Sequence, residues 1–290
     1  MLAITGATGQ LGRLVIEALR QTVPASQIVA IARDVHKAQD LAKLGVEVRY
    51  ADYTQPDSWR NAFVGVNKVL LISSSEVGQR VEQHRTVIEA AKAANVTLLA
   101  YTSILKADRS SLMLAEEHVA TEALIQQSGL PAVILRNGWY SENYTMGIPA
   151  ILQQGVMIGC AGEGRISSAP RRDYAEAAAH VLTREGQDGK IYELAGDQSF
   201  TLAEFADSLS KATGQPITYQ NLSESAYVQA LESAGVPAPF SMVLGNSETG
   251  AAAGDLFSSS NDLSLLLSRP STSINVTIKE ALSEMTALRD

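Results

Sequence analysis

Short aliphatic runs alternate with stretches of helical periodicity through the first half of this chain. The runs are LAI (2–4), IVAIA (28–32), VEVRY (46–50), KVLLIS (68–73), TLLAYTS (97–103) and PAVILR (131–136). Helical patterns fall between them, at 14–19 and near 35–43, 56–63, 80–94 and 115–127. Strands made almost wholly of Val, Ile, Leu and Ala are buried on both faces, which requires helices above and below a parallel sheet. The alternation therefore predicts an α/β fold, a Rossmann-type doubly wound parallel sheet. After residue 137 the rhythm loosens. Helices are expected at 149–154, 173–184, 202–213, 224–234 and 275–288, with a strand at 190–194. Gly, Ser and Ala dominate 241–262, which reads as a mobile surface segment or a lid.

The opening LAITGATGQLG joins the first strand to the first helix through glycines at 6, 9 and 12. Gly6 can adopt backbone angles closed to other residues, Gly9 lets a pyrophosphate approach the main chain, and Gly12 lets the helix sit close to the strand. The helix start then presents unpaired N–H groups and a positive dipole end to phosphates. This G-x-x-G-x-x-G spacing departs from the usual G-x-G-x-x-G fingerprint, so the strand and helix around it carry the reading. Ligands of such sheets lie beyond the carboxyl ends of the strands, where Gly6, Arg33, Ser73 to Ser75, Ser103 and Asn137 should converge.

Composition narrows the partners. Lys plus Arg number 23 against 31 Asp plus Glu, a net charge of −8, which leaves nucleic acid and anionic membranes without an electrostatic basis. The single cysteine, Cys160, cannot form an internal disulfide and suits a reducing compartment. No apolar run approaches a membrane span, and the start reads as a core strand and not a signal peptide, so a cytoplasmic protein is expected. His36, His84 and His180 share no ligand spacing, so no metal is expected; His84, within EQHR, reads as a solvated face.

Cofactor choice turns on the end of the second strand. A site built for NAD places an acidic residue there, whereas this chain has Arg33, 21 residues beyond Gly12, with Lys37 a turn further on. A guanidinium can hold a 2′-phosphate, which favours NADPH. Asp34 can still serve a ribose hydroxyl.

ITGATGQLG, Arg33, ADYTQPDSW, LLISSSEVGQR, YTS, ILRNGWYSENY and NDLSLLLSRPSTSI together resemble the atypical short-chain dehydrogenase/reductases of the NmrA-like group. Within it the chain is most similar to the bacterial NAD(P)H:quinone oxidoreductases of type 2, with triphenylmethane reductase a relative. The likeness spans nearly the whole length. It implies an NADPH-binding domain over 1–150 and a smaller substrate-binding domain over 151–290, some segments of which return to the sheet. NADPH would lie along Gly6, Ala7, Thr8, Gly9, Gln10 and Leu11, with Arg33 at the 2′-phosphate and Ser73, Ser74 and Ser75 passing the ribose and pyrophosphate. Asn137, Gly138, Trp139, Tyr140, Ser141 and Glu142 would flank the nicotinamide, and Arg172 would close over it. The serines also fit an ordinary polar loop, and Arg172 a position just before a helix capped by Asp173. A small-molecule quinone is the implied partner, and a homodimer is left open.

The wider family keeps a Ser and a Tyr-x-x-x-Lys, the Tyr donating a proton. Here Ser103 holds the Ser place, Leu114 the Tyr place and His118 the Lys place. Leucine donates no proton. Quinone reduction survives that loss, because a hydroquinone anion is protonated by water or a modest acid. His118 is the one candidate catalytic residue, since imidazole titrates near neutrality; it also reads as a polar helix residue with no chemical role. Trp139, Tyr140 and Tyr144 could line the acceptor pocket. Two further functions compete: a dinucleotide-binding redox sensor that turns nothing over, and a reductase for another conjugated acceptor such as a cationic dye.

Overall fold

The computed structural model describes residues 1–287. Seven parallel strands form the main sheet: β1 (Leu2–Ile4), β2 (Ile28–Ala32), β3 (Glu47–Tyr50), β4 (Lys68–Leu71), β5 (Leu98–Ile104), β6 (Ala132–Asn137) and β8 (Ile191–Leu194). Their order is β3-β2-β1-β4-β5-β6-β8, so the sense in which successive strands are added reverses between β1 and β4, while every strand stays parallel. A second parallel pair joins β7 (Val156–Gly159) to β9 (Thr218–Asn221); β9 is not evident in the hydrophobic pattern, being the polar run TYQN.

Alternate residues of each central strand enter opposite cores. Ile4, Ala30, Leu70 and Ala100 face one layer, whereas Ala3, Val29, Val69 and Leu99 face the other. This is why the aliphatic runs are unbroken. Helices α1 (Gln10–Leu19) and α8 (Arg171–Thr183) cover the first face, while α3 (Pro56–Ala62), α4 (Arg80–Ala93) and α5 (Met113–Ser128) cover the second. The short α2 (Gln39–Lys43) follows β2.

The second half builds its own core, in which Tyr144, Ile148, Met157, Phe200 and Phe205 meet Ile104 and Leu112 from the sheet-bearing half. Its helices are α6 (Glu142–Thr145), α7 (Ile148–Gln154), α9 (Leu202–Thr213), α10 (Glu224–Ser233), α11 (Ala238–Ala252), α12 (Asp262–Leu267) and α13 (Ile274–Ala287). The expected helix over 275–288 is α13, position 288 lying outside the described residues. No helix among the described residues is long and apolar enough to cross a membrane.

The segment over 241–262, expected as a mobile surface segment or a lid, is built largely as helix: α11 buries Ser241, Gly245, Ser247, Glu248, Gly250 and Ala251, and α12 begins at Asp262. Small side chains here serve close approach. A Cβ on Gly245 would stand 2.6 Å from Val228 Cγ2, and one on Gly250 would collide with Leu112 Cδ2.

The same reasoning separates two glycine substitutions. A Cβ at Gly12 would strike the Gly6 carbonyl oxygen and stand 2.8 Å from Ala7 Cα, both backbone atoms that cannot turn aside. Gly12→Ala should cost about 1–3 kcal/mol of unfolding free energy. Gly250→Ala, which meets the flexible end of Leu112, should cost less. Equal denaturant midpoints for Gly12→Ala and the parent would show that α1 can move away from the turn.

Candidate cofactor and substrate site

The turn after β1 is shaped for close backbone approach. Gly6 has φ +57°, the left-handed region that favours glycine, and its carbonyl accepts the Gly9 N–H at 2.9 Å. Gly9 is the extended N-cap of α1, so Gln10, Leu11 and Gly12 begin the helix with N–H groups that have no partner a turn earlier. Thr5 Oγ1 accepts the Ile72 N–H at 2.9 Å and ties the turn to the end of β4.

Arg33 lies directly beyond β2 with its side chain 68% exposed, its nearest acid being Glu76 at 3.4 Å. Asp34, the alternative ribose partner, accepts the His36 N–H at 3.0 Å and caps the turn Val35–Ala38. A residue not singled out in the sequence, Arg13, braces this region. It donates to Thr8 O at 3.2 Å and Lys37 O at 2.6 Å and pairs with Asp40, joining the glycine turn to the segment after β2. Its place one turn into α1 was the available signal.

Backbone bonds hold the serine segment. Ser73 N–H donates to Thr102 Oγ1 at 2.9 Å, and Ser74 N–H to His84 Nε2 at 3.0 Å. His84 is therefore no solvated residue: it is 0% exposed, because α4 turns it inward beneath this loop. Thr121 donates its hydroxyl to Glu117 O, so it accepts from His84 Nδ1–H at 3.0 Å, which fixes the tautomer. Burial, then the Arg80 charge, lowers the His84 pKa to about 3.

His118 does not become a charged imidazolium near neutrality as its residue type suggested. It is 5% exposed, its Nδ1 lies 2.7 Å from the Tyr101 hydroxyl, and burial, Arg80 and His84 lower its pKa to about 3. Leu114 packs into the second core. Ser103 is turned away from the crevice too, its hydroxyl donating to Glu122, which also holds Arg136 at 2.8 Å.

At the end of β6, Asn137 is buried and its Oδ1 has no partner among the described residues. Gly138 N–H donates to Leu194 O at 2.7 Å, and a Cβ there would stand 2.9 Å from both that oxygen and the Tyr174 hydroxyl. Tyr140 lies edge-on to Tyr174, with the Arg171 guanidinium 4.4 Å over its ring. Arg171 N–H donates to Glu142 at 2.9 Å, and Ser141 and Ser168 hydroxyls pair at 2.8 Å. The neighbouring Arg172 faces elsewhere and binds Glu280 of α13 at 2.9 Å. Helix α8 begins at Arg171, before the expected Asp173 cap; Asp173 is buried in its first turn and accepts the Thr272 N–H at 2.6 Å. That early start turns Arg171, and not Arg172, toward the Asn137–Glu142 loop.

Next to this loop opens a cavity of about 240 Å³, walled by Trp139, Tyr144, Ile151, Tyr227, Leu231 and Glu248. Trp139 and Tyr144 thus line it as the sequence suggests, while Tyr140 does not. Among the described residues no His, Cys, Asp or Glu cluster could hold a metal. Cys160 is buried, and burial pushes its thiol up to about 12.

The switch-point crevice and the glycine turn define a dinucleotide-binding protein. A family model described as NAD(P)H-binding matches residues 6–185, and the chain belongs to that family. Quinone oxidoreductase 2 of Escherichia coli (strain K12) is 54% identical over 285 residues, covering 98% of this chain and 98% of that protein. The Escherichia coli NADPH-dependent quinone oxidoreductase crystallised with NADPH matches at TM-score 0.96, over 97% of this chain and 100% of that one. Citrobacter sp. triphenylmethane reductase complexed with NADP(H) matches at TM-score 0.94 and 40% identity, over 97% of this chain and 100% of that one. The resemblance read from the motifs is borne out.

The buried histidines set a pH dependence. An imidazole that titrates near 6.5 in the unfolded chain and about 3 in the fold is stabilising above pH 6.5, and that contribution is lost as pH falls toward 3. The loss is about 1.4 kcal/mol per pH unit for each histidine. Denaturant midpoints measured from pH 7 to 5 should fall accordingly, and His118→Gln should fall less steeply; parallel slopes would assign the titration to other groups.

Proposed function

We propose that this protein is a cytoplasmic NADPH-dependent quinone reductase working without flavin. The observation that carries this reading is the aromatic-walled cavity opening at Trp139, directly beyond the loop that ends the dinucleotide crevice. The relatives' names and the NADPH in the Escherichia coli structure support it.

Two features fit the cofactor: the unpartnered Asn137 Oδ1 and the glycine turn where a Cβ has no room at Gly12. Gly6, Ala7, Thr8, Gly9, Gln10 and Leu11 would hold the pyrophosphate, Arg33 the 2′-phosphate, and Ser73 to Ser75 the ribose side. Asn137 to Glu142 would flank the nicotinamide, Asn137 Oδ1 offering a free acceptor to an N–H of the ligand. Bound there, NADPH supplies a hydride. Trp139 and Tyr144 would hold a flat acceptor beside it and exclude water, so that positioning supplies most of the rate. His118, neutral and bonded to Tyr101, leaves the proton to another source.

Leu114 at the tyrosine position favours a second reading, a dinucleotide sensor without turnover. NADPH oxidation followed with and without a simple benzoquinone separates the two: quinone-dependent oxidation is expected, and its absence would leave the sensor.

Arg33→Ala should weaken NADPH far more than NADH, because only NADPH loses a phosphate partner. A charge-assisted pair of this kind contributes roughly 1.5–3 kcal/mol, a factor of about 10 to 150. Equal losses for the two cofactors in fluorescence titrations would remove Arg33 from the phosphate site.

A further inference from the structure

Glu248 of α11 is an acid enclosed within the cavity wall. It is 8% exposed, and its Oε2 accepts the Cys160 N–H at 2.7 Å. The Ala161 N–H also acts on this carboxyl, and the residue lines the cavity. Gly159 makes room for it, since a Cβ there would stand 2.6 Å from Glu248 Oε2. The titratable groups around it are Tyr144 of α6, Cys160 after β7, Tyr219 of β9, and Tyr227 and Glu224 of α10. None is a cation. A carboxyl that is desolvated, bonded only to neutral backbone N–H groups and unpaired with positive charge is biased toward its neutral form.

Resting on the quinone reading above, we propose that Glu248 is the proton donor to a quinone oxygen in the Trp139–Tyr144–Tyr227 cavity. Hydride addition reduces the quinone by two electrons and leaves one oxygen as an anion. The Glu248 O–H bond breaks as a new O–H bond forms on that oxygen, giving the hydroquinone. The Glu248 carboxylate then regains a proton from water, and the nicotinamide leaves oxidised. The position the tyrosine vacates on α5 is thus answered from the opposite half of the chain. Burial raises the Glu248 pKa to about 7, outweighing the Cys160 and Ala161 N–H groups that lower it, so the donor is loaded at and below neutrality.

The test is Glu248→Gln, which keeps an acceptor for Cys160 N–H and removes the proton. With a simple benzoquinone, kcat of the parent should fall as pH rises through about 7. The variant should lose about 100-fold at pH 6, the low end for a general acid, and lose that pH limb, with NADPH affinity unchanged. A second measurement uses the parent alone. Its infrared spectrum at pH 6, where ordinary carboxyls are ionised, should show a protonated carboxyl band that disappears at pH 8 and shifts when the benzoquinone binds. Parental turnover and pH profile in Glu248→Gln, or no carboxyl band at pH 6, would overturn the assignment while leaving quinone reduction intact. Absence of benzoquinone turnover by the parent at every pH would instead sink the quinone reading, and the donor role with it.

Discussion

The contact between α1 and the Gly6–Ala7 turn is the constraint on which the rest of the site depends. With no side chain at Gly12 the helix lies against the turn's backbone, and its open N–H groups point where the strands end. Once α1 is fixed there, α8 packs on it in the first-face core. The first turn of α8 carries Arg171 to the Tyr140 ring. One missing methyl group therefore sets both ends of the crevice.

The polar interior beneath the second face has a different task. Thr102 and His84 hold the backbone of Ser73 and Ser74 from below, while Thr121 occupies the other ring nitrogen of His84 and Tyr101 meets Nδ1 of His118. Every one of these bonds is made by neutral groups. His84 used in this way is a rigid spacer with one acceptor and one donor, and its value lies in remaining uncharged. Proton chemistry is then displaced toward the second half, where Glu248 faces an apolar cavity.

The sheet is legible in the sequence because strands buried on both faces leave an unbroken aliphatic signature, and the glycine turn because its residues follow from backbone geometry. Arg33 is legible for the same reason, being the first residue past a strand. Other features depend on which way a helix turns its faces, and one sequence does not specify that. His84 reads as solvated because EQHR is charged, yet it is the residue α4 turns inward. Arg171 and Arg172 are adjacent and chemically identical, and only the starting residue of α8 separates their directions. In α11, small residues carry opposite meanings in a loop and in a tight helix contact. The ladder of β7 with β9 escapes notice because TYQN contributes hydrogen bonds and little buried apolar surface.

Strand β8 comes from residues 191–194 yet completes a sheet whose other strands end by residue 137. Arg136 on β6 binds Glu193 of β8 at 2.9 Å, and Asp262 accepts the Glu193 N–H at 2.9 Å, so the edge closes only when α12 is also in place. During synthesis on a ribosome, then, Arg136 can meet Glu122 at once but Glu193 only later, and the face beneath α8 and α12 stays uncovered meanwhile. At roughly 5–20 residues per second that interval is on the order of ten seconds. The sheet edge is therefore the last part of this domain to be sealed, whatever the rate at which the earlier strands pair.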